Sequence, residues 1–222
     1  MEAKLVRRTK RKPPPRWPSL VVGLTGSVAM GKSTAAALLK NLGIPVFDAD
    51  GVVHVLLGPK GKALKAVAAR FPGVVGSRGV DRKTLGAKVF ADPKAHRDLE
   101  SILHPLVRLE REHFLRRAAM GRRPLVVLDI PLLFEGKTED LCDVVIVVSA
   151  PAFLQRQRAL ARPGMTAERF ESVLKRQWPD AAKRAAADVV IPSGLGKRET
   201  LRRLKLLLKV LAEQRRISNS HA

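Results

Sequence analysis

A phosphate-binding pattern lies near the start of the chain. Gly26, Gly31, Lys32 and Ser33 have the spacing G-x-x-x-x-G-K-S, after the apolar run 20–24 and before an alanine- and leucine-rich helical segment. This order of strand, loop and helix is typical of a P-loop, in which glycines let backbone N–H groups turn toward an anion. The sequence therefore predicts a nucleoside triphosphate site, with Lys32 on the β- and γ-phosphates and the Ser33 hydroxyl on Mg²⁺. A glycine-rich turn that binds nothing is the alternative.

Acidic side chains end two other strand-like runs. Asp48 and Asp50 close the short run 44–50, and Asp129 closes the apolar run 124–129. Ligands of open α/β sheets gather beyond the carboxyl ends of the strands, so we expect these carboxylates near the P-loop, with Asp129 near Mg²⁺. Alternate residues of an extended chain share a face, which would let Asp48 and Asp50 converge on one site. The alternative for this pair is a turn that caps the next helix.

Basic side chains crowd a helical segment at residues 151–185. Arg158 and Arg162 belong to it, and Pro163-Gly164 interrupts the helical pattern directly after them. Arginines on a hinged pair of helices suit a lid that closes over transferring phosphates and excludes water. A solvated amphipathic hairpin is the alternative.

The net charge of +22 raises the question of a polyanionic partner. The few aromatic residues and the lack of a recognisable RNA- or zinc-binding module argue against nucleic acid, although the basic tails leave such a role open.

Cys142 is the single cysteine, which excludes an internal disulfide and fits a cytoplasmic protein. No apolar run approaches the roughly 18 residues of a membrane-spanning helix, so we expect no membrane partner. The oligomeric state does not follow from the sequence.

Strand-like runs alternate with helical patterns along most of the chain. This alternation predicts an α/β protein: a P-loop NTPase three-layer fold with a parallel sheet core, an inserted helical substrate domain and a helical lid. The predicted organisation is a basic, proline-rich flexible extension at 1–19, one P-loop domain at 20–215 (core 20–51, 123–150 and 186–215; helical substrate subdomain 52–122; lid 151–185), and a disordered tail at 216–222.

Prolines and glycines predict the local boundaries inside the inserted domain. Asp92-Pro93 and His104-Pro105 are expected to end helices, and the stretch 73–79 is rich in turn residues. A helix is expected to begin at Asp81. The last helix, at about 197–214, places leucines on one face and basic residues on the other.

Longer motifs follow one another over residues 20–194. They are LTGSVAMGKST at 24–34, FDAD at 47–50, Asp81-Arg82, LHPLV at 103–107, LDIPLLFE at 128–135, the pair Arg158 and Arg162, Gln177, and Ala187-Asp188. In this order they resemble the dephospho-coenzyme A kinase family. The resemblance implies a kinase that uses Mg²⁺ and ATP to phosphorylate the ribose 3′-hydroxyl of dephospho-CoA, the last step of coenzyme A synthesis. Another nucleoside or small-metabolite kinase is the alternative, against which the Asp-Ala-Asp and Leu-His-Pro-Leu motifs argue.

The resemblance also implies roles for individual residues. Asp50 is expected to orient the 3′-hydroxyl, and deprotonation of this hydroxyl is a further role open to it. Lys32 and Arg158 are expected to neutralise charge on the transferring phosphate. The residues expected to bind ATP are Gly26, Ala29, Met30, Gly31, Lys32, Ser33, Thr34 and Arg162. Those expected to bind the acceptor are Asp48, Asp50, Arg82 and His104, and those expected to hold Mg²⁺ are Ser33 and Asp129.

Some of these assignments have structural alternatives. His104 could instead form a helix-breaking corner with a structural hydrogen bond, and Arg82 could pair with an acidic neighbour. The sequence also departs from the family pattern: Ser193 stands where an asparagine near adenine is common, and Ser27 and Ala29 stand where glycines are frequent. Because both are small, we expect the phosphate cradle to survive.

Overall fold

A computed structural model describes residues 17–219 of the chain. Its strands are β1 (Leu20–Thr25), β2 (Val46–Asp48), β3 (Val75–Gly76), β4 (Gly79–Val80), β5 (Leu125–Asp129), β6 (Val144–Ser149) and β7 (Val189–Pro192). Its helices are α1 (Lys32–Asn41), α2 (Ala49–Leu56), α3 (Leu64–Arg70), α4 (Arg82–Ala91), α5 (Pro93–Met120), α6 (Ala152–Leu160), α7 (Ala167–Lys175), α8 (Asp180–Ala186) and α9 (Gly196–Asn219). Residues 1–16 of the predicted extension lie outside the described residues.

Strand β1 lies at the centre of the main sheet. The strand order is β2-β5-β1-β6-β7, and the pairings of β1 with β5 and β6, and of β6 with β7, are parallel. Every residue of β5 and β6 is buried, as the unbroken runs of valine, isoleucine and leucine predict for strands covered on both faces. The predicted α/β fold with a parallel sheet is therefore confirmed, and its central strand leads into the P-loop.

Helices α1 and α9 pack against the sheet through one apolar cluster. The cluster contains Leu24 and Ile146 from the strands, Leu39 from α1, and Leu204 and Leu211 from α9. Burial of each such side chain contributes about 2 kcal/mol to folding. The leucine face predicted for the last helix is thus the face that covers the sheet.

The chain divides into two compact units. One comprises the residues up to Phe47 and from Ala118 onward, and the other comprises Asp48–Arg117. The second unit has its own apolar core, in which Val67, Phe71 and Leu85 are buried. Its turn-rich stretch forms a short antiparallel hairpin of β3 and β4, which the sequence did not predict. The boundaries given above for the substrate subdomain and the lid stay predictions.

The prediction of a helix break at His104-Pro105 is wrong. Helix α5 continues through Pro105, although proline removes the hydrogen bond to the carbonyl of Ser101 and costs about 3 kcal/mol inside a helix. Leu103 is buried in the apolar core of the second unit, and neighbouring side chains of α5 pack against the same core. Packing on both sides of the proline therefore outweighs its local cost. The break predicted at Asp92-Pro93 is confirmed, because α4 ends at Ala91.

Helix α9 runs into the tail predicted at 216–222. Helix α9 continues to Asn219, since residues 212–216 are good helix formers and no glycine or proline stops the helix. Residues 220–222 lie outside the described residues. Within residues 17–219 no helix, α9 included, is both long and apolar enough to cross a membrane.

Cys142 is buried beside the central strand. Its side chain is 2% exposed, and its Sγ lies 2.7 Å from the position that a Cβ on Gly23 would occupy. This placement makes Cys142 a small core residue, and it explains why β1 has a glycine there.

A buried ion pair connects α8 to the segment after β5. Lys183 is 0% exposed, and its Nζ lies 2.8 Å from Oε1 of Glu135. The same oxygen accepts a hydrogen bond from the N–H of Trp178, whose ring stacks on Phe134. Lys183 lies within the basic segment 151–185 that the sequence predicts as a lid, but its burial makes it part of the core.

We expect Lys183→Met to destabilise the protein strongly. The substitution leaves the Glu135 carboxylate buried without its counter-charge, which costs about 3–5 kcal/mol. Thermal unfolding followed by circular dichroism should show a midpoint lowered by roughly 6–20 °C for a chain of this size. Lys209→Met, at an exposed position of α9, is the matched control, and its unfolding midpoint should stay close to that of the wild type. If the midpoint rises again in the double variant Glu135→Gln/Lys183→Met, the unpaired charge is the cause. Equal midpoints for Lys183→Met and Lys209→Met would contradict it.

Candidate active site

The P-loop joins β1 to α1, and its glycines are required for two different reasons. A Cβ on Gly26 would lie 2.6 Å from the carbonyl oxygen of Val148, so only glycine lets the loop pass β6. Gly31 has a φ of 92°, and a Cβ there would lie 2.9 Å from Oγ of Ser193. Close approach explains the first glycine, and a left-handed backbone together with close approach explains the second.

The start of α1 provides the anion-binding end of the loop. The helix begins at Lys32, so the N–H groups of its first turn lack acceptors within the helix, and its dipole is positive at this end. Ser33 is exposed here and Thr34 is half-buried. These groups can bind a phosphate through the main chain, with a hydroxyl beside it.

Lys32 is paired with the carboxylate that ends the neighbouring strand. Its Nζ lies 2.7 Å from Oδ1 of Asp129, and both side chains are mostly buried. The register of β1 with β5 places Asp129 opposite Leu24, at the edge of the sheet from which the P-loop starts. The sequence predicted both residues for the site, and the structure brings them into direct contact.

Met30 and Ala29 contribute to the shape of the loop. The Met30 side chain is 2% exposed, and its Sδ accepts a hydrogen bond from the N–H of Ala150. Ala29 is 5% exposed and has a φ of 60°. This left-handed conformation is the physical reason that a glycine would suit the position.

Arg158 lies against the loop after β7 and close to Gly31. Its Nη1 donates to Oγ of Ser193 over 3.1 Å, and its Nη2 donates to the Ser193 carbonyl over 3.0 Å. Ser193 Oγ in turn donates to the carbonyl of Met30 over 2.6 Å. Arg162, after the end of α6, is exposed.

Ser193 is the residue of this network whose contacts the sequence did not predict. The sequence marked the position only as a departure from the family pattern. Its hydroxyl ties the P-loop, β7 and α6 together, and these elements are distant along the chain. No short-range pattern reports such a contact.

Asp48 and Asp50 do not lie on one face of an extended strand, and that prediction is wrong. Helix α2 begins at Ala49, between them, and Asp48 caps it by accepting the N–H of Gly51 at Oδ1 over 2.9 Å. Asp50 is exposed in the first turn of α2. The capping alternative is therefore confirmed for Asp48, because an aspartate at this point satisfies a free N–H of the helix.

The other acceptor residues expected from the sequence lie in the second unit. Arg82 begins α4, and its Nη2 donates to Nε2 of His54 over 2.7 Å, so its neighbour is a histidine rather than an acid. A hydrogen bond from the Thr84 side chain lowers the pKa of Asp81, so Asp81 caps α4 as an anion. His104 is exposed on α5, which passes through it without a corner.

An open groove of about 610 Å³ lies beside Arg82. Residues 76–83 line it, from the β3–β4 turn to the start of α4, and they include the basic side chains of Arg78 and Lys83. The groove thus presents positive charge within the second unit.

A phosphate-binding loop after the central strand of a parallel sheet, with a paired lysine and an arginine beside it, places this chain among the P-loop kinases. Its family follows from the comparisons with known proteins. A model of the dephospho-CoA kinase family matches residues 20–196. The chain therefore belongs to the dephospho-CoA kinase family.

Individual relatives agree with this assignment. Curated dephospho-CoA kinases from Rhodospirillum rubrum and Paramagnetospirillum magneticum are 54% and 59% identical to the chain. The aligned regions cover 84% and 74% of this chain, and 89% and 77% of those proteins. A crystal structure from Thermus thermophilus has a TM-score of 0.76 at 34% identity and covers 91% of this chain and 98% of its own.

We expect Gly31→Ala to weaken nucleotide binding by at least about tenfold. The new Cβ meets the Ser193 hydroxyl and also carries the cost of a left-handed backbone, roughly 1–2 kcal/mol. Gly43→Ala is the matched control, because Gly43 also has a positive φ but would have no atom within 4 Å of its Cβ. Titration calorimetry with MgADP should show the loss only in Gly31→Ala, with partial recovery in Gly31→Ala/Ser193→Gly. Equal losses at both glycines would contradict the contact with Ser193.

Proposed function

We propose that this chain transfers the γ-phosphoryl group of ATP to the ribose 3′-hydroxyl of dephospho-CoA, which gives coenzyme A and ADP. The observation that carries the proposal is the match of the dephospho-CoA kinase family over residues 20–196, which begins at the strand before the P-loop. The 3′-oxygen attacks the γ-phosphorus, the bond to the β-phosphate oxygen breaks, and ADP leaves. The hydroxyl proton leaves to a carboxylate or to water.

The P-loop is proposed to hold the triphosphate. The N–H groups at the start of α1 bind phosphate oxygens, and Lys32 exchanges its contact with Asp129 for the β- and γ-phosphates. Two properties favour this exchange: the Lys32 side chain keeps 15% exposure, and a triphosphate carries more charge than one carboxylate. Phosphoryl transfer depends mainly on positioning and charge stabilisation, which these groups provide.

The residues proposed for Mg²⁺ fit this ion. Ser33 offers a hydroxyl and Asp129 a carboxylate, and such hard oxygen donors suit Mg²⁺, which is commonly bound by one or two carboxylates together with substrate phosphates and water. When bound, the ion would neutralise charge on the β- and γ-phosphates. When Lys32 turns to the phosphates, it gives up its contact with Oδ1 of Asp129.

Asp50 is proposed to orient the 3′-hydroxyl of the acceptor. Its exposed carboxylate in the first turn of α2 is free to meet a ligand in a way that the capping carboxylate of Asp48 is not. Arg82, with the basic groove beside it, is proposed to bind a phosphate of dephospho-CoA. His104 is also proposed to contact the acceptor, and its exposure on α5 supports this role.

Arg158 and Arg162 are proposed to stabilise the transferring phosphate from the helical segment 151–185. Arg158 is already close to the P-loop through Ser193, whereas Arg162 is exposed at the turn after α6.

We further propose a cytoplasmic location, since ATP is abundant there and the buried thiol of Cys142 suits a reducing compartment.

An acceptor panel tests the reaction. Purified protein with MgATP should form ADP and a 3′-phosphorylated product with dephospho-CoA, but not with adenosine, AMP or shikimate. Mass spectrometry identifies the product, and phosphorus NMR places the new phosphate. Turnover of another acceptor without turnover of dephospho-CoA would refute the proposal.

The roles of Lys32 and Asp50 predict different kinetic defects. Asp50→Asn should lower kcat by about 10² or more while the KM for ATP changes little, because it acts on the acceptor hydroxyl. Lys32→Ala should lower kcat and also weaken ATP binding, since Lys32 contacts the donor. Asp140→Asn, at an exposed position, is the control and should keep wild-type rates. Near-normal turnover in Asp50→Asn would remove its assigned role.

A further inference from the structure

Val28, at the outer side of the P-loop, is held through both of its main-chain groups. Its N–H donates to Oε1 of Gln177 over 2.9 Å, and its carbonyl accepts from Nε2 of Gln155 over 2.9 Å. Gln155 lies on α6 and is 6% exposed, whereas Gln177 follows α7 and is half-buried. The two arms of the α6–α7 hairpin thus each send one amide to the same residue.

The polarity of each bond is determined by the main chain. A glutamine amide offers one oxygen acceptor and one NH₂ donor. The N–H of Val28 can only donate and its carbonyl can only accept, so Gln177 must act through its oxygen and Gln155 through its NH₂ group. The two glutamines therefore have opposite hydrogen-bonding roles.

The residue after Val28 explains why this turn needs external support. Ala29 has a φ of 60°, a left-handed conformation that an alanine adopts only at a cost in free energy. It is also buried against Ala159 of α6 and Phe170 of α7, and Val28 packs on the same apolar cluster. A strained turn of this kind persists when its surroundings determine its shape.

We propose that Gln155 and Gln177 are positioning residues for ATP. By holding Val28 from both sides, they fix the left-handed turn at Ala29 and so direct the N–H groups at the start of α1 toward the phosphates. This inference rests on the proposed use of ATP as the phosphoryl donor. Neither glutamine is assigned contact with a substrate.

The same bonds connect nucleotide binding to the position of the hairpin. Both arms are bonded to the P-loop, so rotation of the whole hairpin would move Val28 with it. The exposed turn at residues 161–164, which carries Arg162, takes part in neither bond.

The opposite roles of the two amides give a sharp test. Gln177→Glu keeps an oxygen acceptor for the Val28 N–H, whereas Gln155→Glu replaces the donor with an oxygen that faces the Val28 carbonyl. Both variants add one negative charge beside the same residue, so the general repulsion of a triphosphate is common to them. Gln157→Glu adds the same charge at an exposed position of α6 and is the control.

Dissociation constants for MgADP and MgATP should be measured at pH 8 by titration calorimetry, together with KM values and thermal unfolding. We expect Gln155→Glu to bind both nucleotides about tenfold more weakly than Gln177→Glu, and Gln157→Glu to match wild type. Gln177→Met, which offers no amide oxygen, should also bind both nucleotides more weakly than Gln177→Glu. The KM for dephospho-CoA should change less than twofold, since the defect lies on the ATP side.

A second substitution separates positioning from a general loss of packing. Ala29→Gly removes the cost of the left-handed turn, so it should restore part of the nucleotide affinity of Gln155→Glu and Gln177→Met. Equal affinities for the two glutamate variants, or no recovery with Ala29→Gly, would overturn the proposal. If Gln155→Glu does not fold, the comparison of the nucleotide affinities of Gln177→Glu and Gln177→Met decides alone. Calorimetry needs no acceptor, so inactivity of the wild-type protein on dephospho-CoA would refute the proposed function and leave this test intact.

Discussion

The phosphate-binding turn depends on hydrogen bonds that its own residues cannot supply. A main chain that directs N–H groups toward an anion must find partners elsewhere for its outward-facing polar groups, because buried polar groups without partners are costly. In this chain Gln177 and Gln155 bond to Val28, and the Ser193 hydroxyl bonds to the carbonyl of Met30. These side chains come from the helical hairpin and from the loop after the last strand. The phosphate site is therefore a property of the whole unit around the central strand.

Burial decides what each basic residue of this unit does. Lys183 is fully buried against Glu135 and serves the core, whereas Lys32 keeps some exposure beside Asp129 at the start of α1. Arg158 lies between these cases, since it is bonded to Ser193 and also lies close to Gly31. The three side chains carry the same charge, and their surroundings give them different roles. The large excess of positive charge on the chain is for this reason a poor guide to its chemistry.

Much of the fold and the phosphate-binding loop could be predicted, and the misses have physical causes. Strands β1, β5 and β6 are unbroken apolar runs, and Gly26, Gly31 and Lys32 have a fixed spacing, so local patterns suffice for both. The start of α2 was missed because an aspartate that ends a strand and one that caps a helix look alike in sequence. Pro105 was misread because its cost is local, whereas the packing of α5 that outweighs it is not. The contacts of Gln155 and Ser193 had no local signal.

By itself the sequence determined the class of fold, the family and the phosphate-binding loop, because each of these is encoded by short-range spacing and by runs of residue types. The tertiary structure decided which side chains hold that loop in shape: Gln155, Gln177 and Ser193 meet it only because the sheet brings their elements to the end of β1. It also decided that Asp48 caps a helix while Asp50 stays exposed. Hydrogen bonds between distant segments depend on the packing of the whole unit, and no local pattern records them.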